Sequence, residues 1–377
     1  MILAVLRESQ EAERRVALTP DVVKRLVAQS IDVRIESGAG AAAGYDDAAY
    51  LGVGAAVEAD KAKIFATADL VVSVQQPADA GVLRSGGAFL GVWQPLTNHA
   101  LVRSFARGKV TSFSLDLLPR ITRAQSMDVL SSQATAAGYK AVLLAAGQLP
   151  KFFPMLITAA GTIRPAKVLV LGAGVAGLQA IATAKRLGAQ VDAFDVRPAV
   201  REQVESLGAR FVAPEAVEAE GEGGYAREQT ADQQERTVAF LHEQAKTADV
   251  IITTAQIPGR KAPTLITEAA VRDMPAGAVI VDLACETGGN CALTQAGATI
   301  ERHGVTIIGP TNVAASMATH TSQMFAKNVL AFLGELLKDG AMKLDFDNAI
   351  ISGTCITHDG NVVHERTRQA MEGGSGA

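Results

Sequence analysis

The sequence predicts an α/β protein: two Rossmann-like domains with parallel sheets, joined by two long helices. Three observations point there. Short β-rich apolar runs alternate with helical segments through roughly the first 125 residues, and the same rhythm restarts at Lys167. A glycine-rich turn, Gly172 to Gly177, lies between a strand pattern and a helix pattern. Two long stretches, Ser126 to Leu149 and Ala315 to Lys338, carry few helix breakers and suit connections between domains. The expected division is residues 1–126 with 328–377 as a discontinuous first domain, and 127–327 as the second.

In chain order, Ile2–Leu6 is a short strand and Pro20 opens a helix that runs through Ala28. Asp32–Glu36, Leu70–Val74, Ala88–Trp93 and Val110–Leu115 are further strands. The helix from Ser126 contains Ala134, Ala136, Ala137 and Gly138, small residues that permit close helix packing. The second unit follows as strand KVLVL, glycine turn, helix to Leu187, strand Gln190–Asp195, helix to Leu207 and strand Arg210–Ala213. The acidic, glycine-rich stretch Glu215 to Gln234 breaks the rhythm and predicts a mobile surface loop with one aromatic residue, Tyr225. Strands resume at Asp249–Ala255 and Ala278–Cys285, with a helix from Thr267 between them. Thr299–Glu301 and Thr306–Ile308 are spaced as a hairpin. The stretch from Met342 completes the first domain, and Glu372–Ala377 (EGGSGA) reads as a disordered tail.

Composition excludes several classes. The 377 residues carry 35 basic and 39 acidic side chains with no basic stripe, which argues against a nucleic-acid partner. Cys285, Cys291 and Cys355 form no C-x-x-C pair, so they read as reduced, cytosolic cysteines and no metal is expected. The start MILAVLRESQ reaches charge within seven residues, unlike a signal peptide. No apolar run approaches the roughly 20 residues that span a bilayer, so a soluble chain without direct membrane insertion is expected.

The glycine turn carries the clearest chemistry. Gly172, Gly174 and Gly177 suit a tight turn, backbone approach to a pyrophosphate, and close helix–strand packing. The helix that starts near Val175 would turn its N–H groups and positive dipole end to the phosphates. Asp195 closes the next strand twenty-one residues after Gly174, where a carboxylate accepts both ribose hydroxyls and repels a 2′-phosphate. The strand end Asp195-Val196-Arg197 therefore favours NAD(H) over NADP(H); Arg197 either accommodates a 2′-phosphate, as a nearby arginine can, or turns outward, and the carboxylate at the strand end favours the second. Thr254 and Ala255, and later Leu283 and Glu286, end parallel strands at the edge where such sheets bind ligands, but the same residues also serve as strand caps.

A polar cluster, PRITRAQSMDVLSSQ, runs from Pro119 to Gln133. Ser126 can cap a helix, with Asp128 in its first turn and Met127 and Leu130 on its buried side. Asp128 and Ser131 then share one face, and Arg120 arrives from the preceding loop. The cluster is either a satisfied cap with a salt bridge or a holder for a neutral, hydrogen-bonding headgroup.

These motifs also carry a resemblance. KVLVLGAGVAGLQAIATAKRLGA, PRITRAQSMDVLSSQATAAGY, GGYARE and TTAQIPGRKAP resemble the NAD(H)-binding domain I of proton-translocating nicotinamide nucleotide transhydrogenase, with similarity from ERRVALTP to SGTCITHDG. The resemblance implies that Arg120, Asp128 and Ser131 meet the nicotinamide carboxamide and Gln125 the nicotinamide ribose. Ile121, Thr122 and Arg123 fall in the same cofactor segment. Val175 and Asp195 would meet the pyrophosphate and adenosine ribose, and Tyr225 would sit on a loop that closes over the nucleotide. It further implies a homodimer, and NADP(H) held by membrane-embedded partner subunits at the inner face of a bacterial plasma membrane. The apolar hairpin around Thr299–Ile308 is compatible with a homodimer and does not demonstrate one.

Alanine dehydrogenase, a related family, is the competing enzyme. The resemblance gives that family a histidine, a lysine and the arginine at Arg15; here the lysine position reads Gln75, the histidine position falls near Pro95, and Glu286 replaces a late aspartate. His99 is close by and is expected to be exposed. Amino-acid oxidation needs a proton acceptor and a carboxylate clamp. Hydride transfer between two nicotinamides needs neither, and proximity and orientation of the rings suffice. Gln125, Arg120, Asp128 and Ser131 are then orienting residues with no general base among them. An NAD(H)-sensing interaction protein is the non-enzymatic alternative.

Overall fold

The computed structural model describes residues 1–78, 83–214, 230–256 and 260–373. The chain divides into two compact units, Met1–Gln133 with Ala314–Ala377, and Ala134–Val313.

Among the described residues of the first unit, six parallel strands run in the order Ala56–Glu58, Asp32–Glu36, Ile2–Val5, Leu70–Gln75, Ala88–Val92, Thr111–Ser114. Cys355–His358 and Asn361–Val362 then add antiparallel strands at the far edge. Strand side chains alternate between faces. Leu3, Val5, Leu70 and Val72 pack with Phe325, Val329 and Phe332, whereas Ala4, Val71 and Phe89 pack with Phe65, Val102 and Phe105. Both faces are therefore covered, which is why these strands read as continuous apolar runs. Pro20 begins its helix without penalty because a first-turn N–H has no intrahelical partner anyway.

The division differs from the expected 126/127 and 327/328 positions. Met127 and Val129 already pack in the first core, as do Ala318, Phe325 and Ala326. Helix Ala318–Leu336 thus lies within the first unit, while helix Val129–Gln148 and the 3₁₀ turn Val313–Met317 run through the two boundaries.

Among its described residues, the second unit holds six parallel strands in the order Arg210–Phe211, Gln190–Phe194, Lys167–Leu171, Val250–Thr253, Val279–Asp282, Val305–Ile308. The first crossover chain goes one way from Lys167–Leu171 and the second goes the other, so the strand order reverses between Lys167–Leu171 and Val250–Thr253. Open α/β sheets bind ligands outside the carboxyl ends of strands at such a reversal. Thr299–Arg302 closes the edge as the expected hairpin partner of Val305–Ile308. Its apolar side faces inward: Val305, Ile307 and Ile308 are buried, while Thr299, Glu301 and Arg302 are exposed. That hairpin does not offer an apolar dimer surface.

Thr230 caps helix Ala231–Ala245 in a reciprocal capping box with Gln233, so residues 231–234 are helical and do not belong to a loop. Residues 215–229 of the expected mobile loop, Tyr225 included, lie outside the described residues, as do residues 374–377 of the expected tail. Among the described residues, no helix is long and apolar enough to cross a membrane.

Candidate functional site

Strand Lys167–Leu171 delivers the chain to Gly172, whose φ of 96° belongs to the left-handed region that glycine tolerates. A Cβ at Gly177 would lie 1.8 Å from the Gly172 carbonyl oxygen, so both glycines are required by the turn itself. Gly174 differs. Its φ is −78°, and a Cβ there would meet nothing within 4 Å. Helix Val175–Arg186 follows, and its first backbone bond runs from the Leu178 N–H to the Gly174 carbonyl. The N–H groups ahead of it point out of the helix end. Behind this end, Gly138 of helix Val129–Gln148 lets that helix approach: a Cβ at 138 would sit 2.0 Å from the Ala176 carbonyl oxygen.

Asp195 is buried beside the turn. Its Oδ2 accepts from the Ala173 N–H at 2.7 Å, and its Oδ1 from the Arg197 N–H at 2.9 Å. Arg197 does not turn outward. Its Nε donates to Oδ1 at 2.8 Å and its Nη2 to Oδ2 at 2.8 Å, a two-point pair that draws the side chain in. Val196 between them is half-buried.

Across the strand-order reversal, the Thr254 hydroxyl donates to the Gly172 carbonyl at 3.0 Å and so fastens the turn. The Ala255 N–H donates to Asn290 Oδ1, and Asn290 Nδ2 donates back to the Ala255 and Pro263 carbonyls. Leu283 is half-buried, with its carbonyl accepting from Gln256, and Glu286 is exposed. The organiser of this edge is Asp282, which no sequence motif singled out. It is fully buried and accepts from the Thr253 and Thr294 hydroxyls and the N–H groups of Ala284, Asn290 and Cys291. Its position at a strand end followed by Gly288-Gly289-Asn290 was the available signal.

In the first unit, the Pro119–Gln133 segment is capped differently from the expected arrangement. Thr122–Met127 forms a 3₁₀ turn, and the α-helix starts at Val129. Asp128, not Ser126, caps it: Oδ1 accepts from the Ser131 N–H at 2.9 Å and Oδ2 from the Ser131 hydroxyl at 2.6 Å. Met127 is buried as expected, but Leu130 is 46% exposed because the later start rotates it outward. Arg120, Ile121, Thr122 and Gln125 are exposed. Arg123 is directed to Asn348 Oδ1 at 2.6 Å and toward Glu335. Asn328, also missed in the sequence, ties the end of the turn to the start of the helix by donating to the Ser126 carbonyl at 2.7 Å and accepting from the Ser132 hydroxyl at 2.7 Å.

Two family descriptions cover nearly the whole chain. "Alanine dehydrogenase/PNT, N-terminal domain" matches residues 4–137, and "Alanine dehydrogenase/PNT, C-terminal domain" matches residues 141–365. The chain belongs to the alanine dehydrogenase/PNT family. It is 46% identical over 379 residues to an NAD(P) transhydrogenase subunit alpha chain of Rhodospirillum rubrum, covering 97% of this chain and 98% of that protein. A solved transhydrogenase from Sinorhizobium meliloti superposes with a TM-score of 0.85 at 41% identity, covering 97% of this chain and 99% of that one. An alanine dehydrogenase from Halomonas elongata is more distant, 30% identical across 98% of this chain and 97% of that protein.

Arg15, the arginine on which the amino-acid oxidation reading rests, lies in the first unit. It is 7% exposed, and its guanidinium is already occupied. Nε and Nη2 donate to Glu13 at 2.8 and 2.6 Å, and Nη1 donates to Gln133 at 2.8 Å. Gln75 adds a bond to the same Glu13 carboxylate at 2.7 Å. Glu8 lies beside this group, accepting from the Val74 and Gln75 N–H groups, and burial pushes its carboxyl up to about 8. These side chains fill the strand-order reversal of the first sheet, where the second sheet has its glycine turn. His99 is half-buried rather than exposed, with Nε2 2.9 Å from the Leu96 carbonyl. Burial also pushes the Cys285 and Cys355 thiols up to about 11 and 12, which favours the protonated form over the thiolate.

Proposed function

We propose that this chain is the NAD(H)-binding component of a proton-translocating transhydrogenase. It would hold NAD(H) so that hydride passes directly between that nicotinamide and NADP(H) on a partner domain. The coarser assignment, an oxidoreductase that is a transhydrogenase component, rests on family membership and the 46% identity to a transhydrogenase alpha subunit.

The observation that carries NAD(H) binding is Gly174. The fold explains Gly172 and Gly177 by backbone conformation and close contact, but a side chain at 174 would have open space. Glycine suits a helix N-cap, and a bare position there also leaves the helix end open to a pyrophosphate arriving from outside. Val175 and Gly177 belong to the same cradle, Asp195, Val196 and Arg197 to the ribose rim, and Thr254, Ala255, Leu283 and Glu286 to the opposite strand ends. Tyr225 is assigned to the nucleotide by resemblance alone.

When bound, the nicotinamide supplies the hydride chemistry. The chain supplies orientation: Arg120, Asp128 and Ser131 for the carboxamide, Gln125 for the ribose, with Ile121, Thr122 and Arg123 in the same segment. Asp128 and Ser131 hold one another, which fixes both side chains in advance. No proton has to be moved by this set. The occupied Arg15 argues against amino-acid oxidation, because a substrate carboxylate would first have to displace Glu13.

A homodimer fits a different surface from the Thr299–Ile308 hairpin. Strands Leu156–Thr158 and Gly161–Ile163 form a two-stranded sheet of their own, with Met155 56%, Ile157 78% and Ile163 44% exposed. Such a hairpin is marginal alone in water and gains stability when a second copy covers it. Membrane-embedded partner subunits carrying NADP(H) would place the chain at the inner face of a bacterial plasma membrane.

Two experiments test this reading. The purified chain should bind NADH yet transfer hydride to NADP⁺ at speed only when an NADP(H)-binding partner is added; rapid oxidation of NADH with pyruvate and ammonia by the chain alone would overturn it. Gly174→Ala should leave the fold within about 1 kcal/mol of the parent while weakening NADH binding, and unchanged NADH affinity would remove the pyrophosphate from this turn.

A further inference from the structure

Asp195 has a carboxylate with roughly four acceptor positions, and four donors already approach it. Two are main-chain N–H groups, from Ala173 and Arg197, and they anchor the carboxylate whatever the side chains do. The other two are the Arg197 Nε–H and Nη2–H. A ribose diol also brings two donors, and the positions open to it are those the guanidinium holds. The exchange is one for one. The pair is also shielded, with side-chain exposures of 17% for Arg197 and 6% for Asp195, so solvent screens it less than a surface ion pair.

We propose that Arg197 is an internal competitor for the adenosine-ribose position: its guanidinium occupies Asp195 until the ribose hydroxyls displace it, which loosens NAD(H) binding. The proposal rests on the NAD(H) reading of the glycine turn and adds a specificity-determining role for one side chain. Affinity for a nucleotide falls in proportion to the fraction of molecules whose binding position is open. An arginine that keeps Asp195 occupied about nine-tenths of the time lowers affinity about tenfold. A component that must exchange oxidised for reduced nucleotide at every turnover gains from such loosening. The displaced guanidinium would stay near the ribose, tied to the chain two residues from Asp195 and ahead of Pro198.

The test is calorimetric titration of the full chain and its variants with NADH, ADP and 2′-deoxy-ADP, alongside thermal melting. Arg197→Ala should tighten NADH and ADP about tenfold and 2′-deoxy-ADP distinctly less, because one of the competing hydroxyls is absent. Arg197→Lys should fall between, since an ammonium cannot make the two-point contact. Unchanged or weaker ADP binding in Arg197→Ala with an unaltered melting temperature would overturn the proposal. So would an equal gain for ADP and 2′-deoxy-ADP. If Arg197→Ala does not fold, the lysine variant decides by the same criteria. Failure of the parent chain to bind NADH or ADP at all would instead overturn the NAD(H) reading beneath it.

Discussion

Gly138→Ala is the substitution whose consequences the structure defines most closely. In a helix interior, alanine normally improves on glycine by up to about 1 kcal/mol. Here the new Cβ would sit 2.0 Å from the Ala176 carbonyl oxygen, 2.8 Å from its carbon and 3.0 Å from its Cα. All three atoms are backbone of the helix that starts at the glycine turn, so no side chain can swing aside. Relief requires helix Val129–Gln148 to retreat by about 1 Å, an overpacking cost of about 1–3 kcal/mol that exceeds the propensity gain. A net loss of about 1–2 kcal/mol corresponds to a fall of about 2–8 °C in melting temperature for a unit of this size. The displaced contact bears on Ala176, next to the N–H groups assigned to the pyrophosphate, so NADH affinity should fall too. Gly147 on the same helix is the control: nothing lies within 4 Å of its would-be Cβ, and Gly147→Ala should hold or raise the melting temperature. Thermal melting followed by NADH fluorescence titration measures both effects. A Gly138→Ala protein as stable as the parent would refute the close-contact account, whatever its affinity.

Other outcomes follow from buried groups. Asp282→Ala would leave five donors around an empty position and should cost at least about 3 kcal/mol, since each unsatisfied buried donor costs about 1–3; a melting temperature within 2 °C or so of the parent would contradict its organising role. Glu8, raised from 4.5 to about 8, stays protonated in the folded chain at a pH where the unfolded chain has released its proton. Its stabilising contribution is therefore complete below about pH 4.5 and is lost as pH rises to about 8, at up to about 1.4 kcal/mol per pH unit between them. Melting profiles of the parent and Glu8→Ala should differ by that slope over pH 5 to 8, and parallel profiles would show that Glu8 titrates normally. Gln125→Ala should slow hydride transfer in the presence of the partner with little change in NADH affinity; an unchanged rate would remove Gln125 from the orienting set.

Much of the second unit was legible because its cues are local. The strand KVLVL, the glycines at 172, 174 and 177 and Asp195 lie within one short stretch; Gly172 follows from a turn, Gly177 from a close contact and Asp195 from an acceptor need. Pro20–Ala28 was legible for the same reason, proline preset at a helix start. The polar cluster was visible as a cluster, but its capping residue was not: Ser126 and Asp128 are both competent caps. The choice went to Asp128 because Asn328, two hundred residues further along the chain, holds the Ser126 carbonyl in a 3₁₀ turn. Equally hidden was the direction of Arg197, since nothing in the spacing says whether a guanidinium turns to solvent or to the carboxylate beside it.

The sequence by itself determined the fold class and the glycine turn, because apolar periodicity and glycine spacing report backbone conformation directly, and its long motifs carried the resemblance to the family. Only the tertiary structure decided which polar groups are already spoken for. Arg15 is held by Glu13, Asp195 by Arg197, and Asp282 gathers five donors. A buried polar group must find its partner wherever the fold brings one, and that partner can come from any distance along the chain.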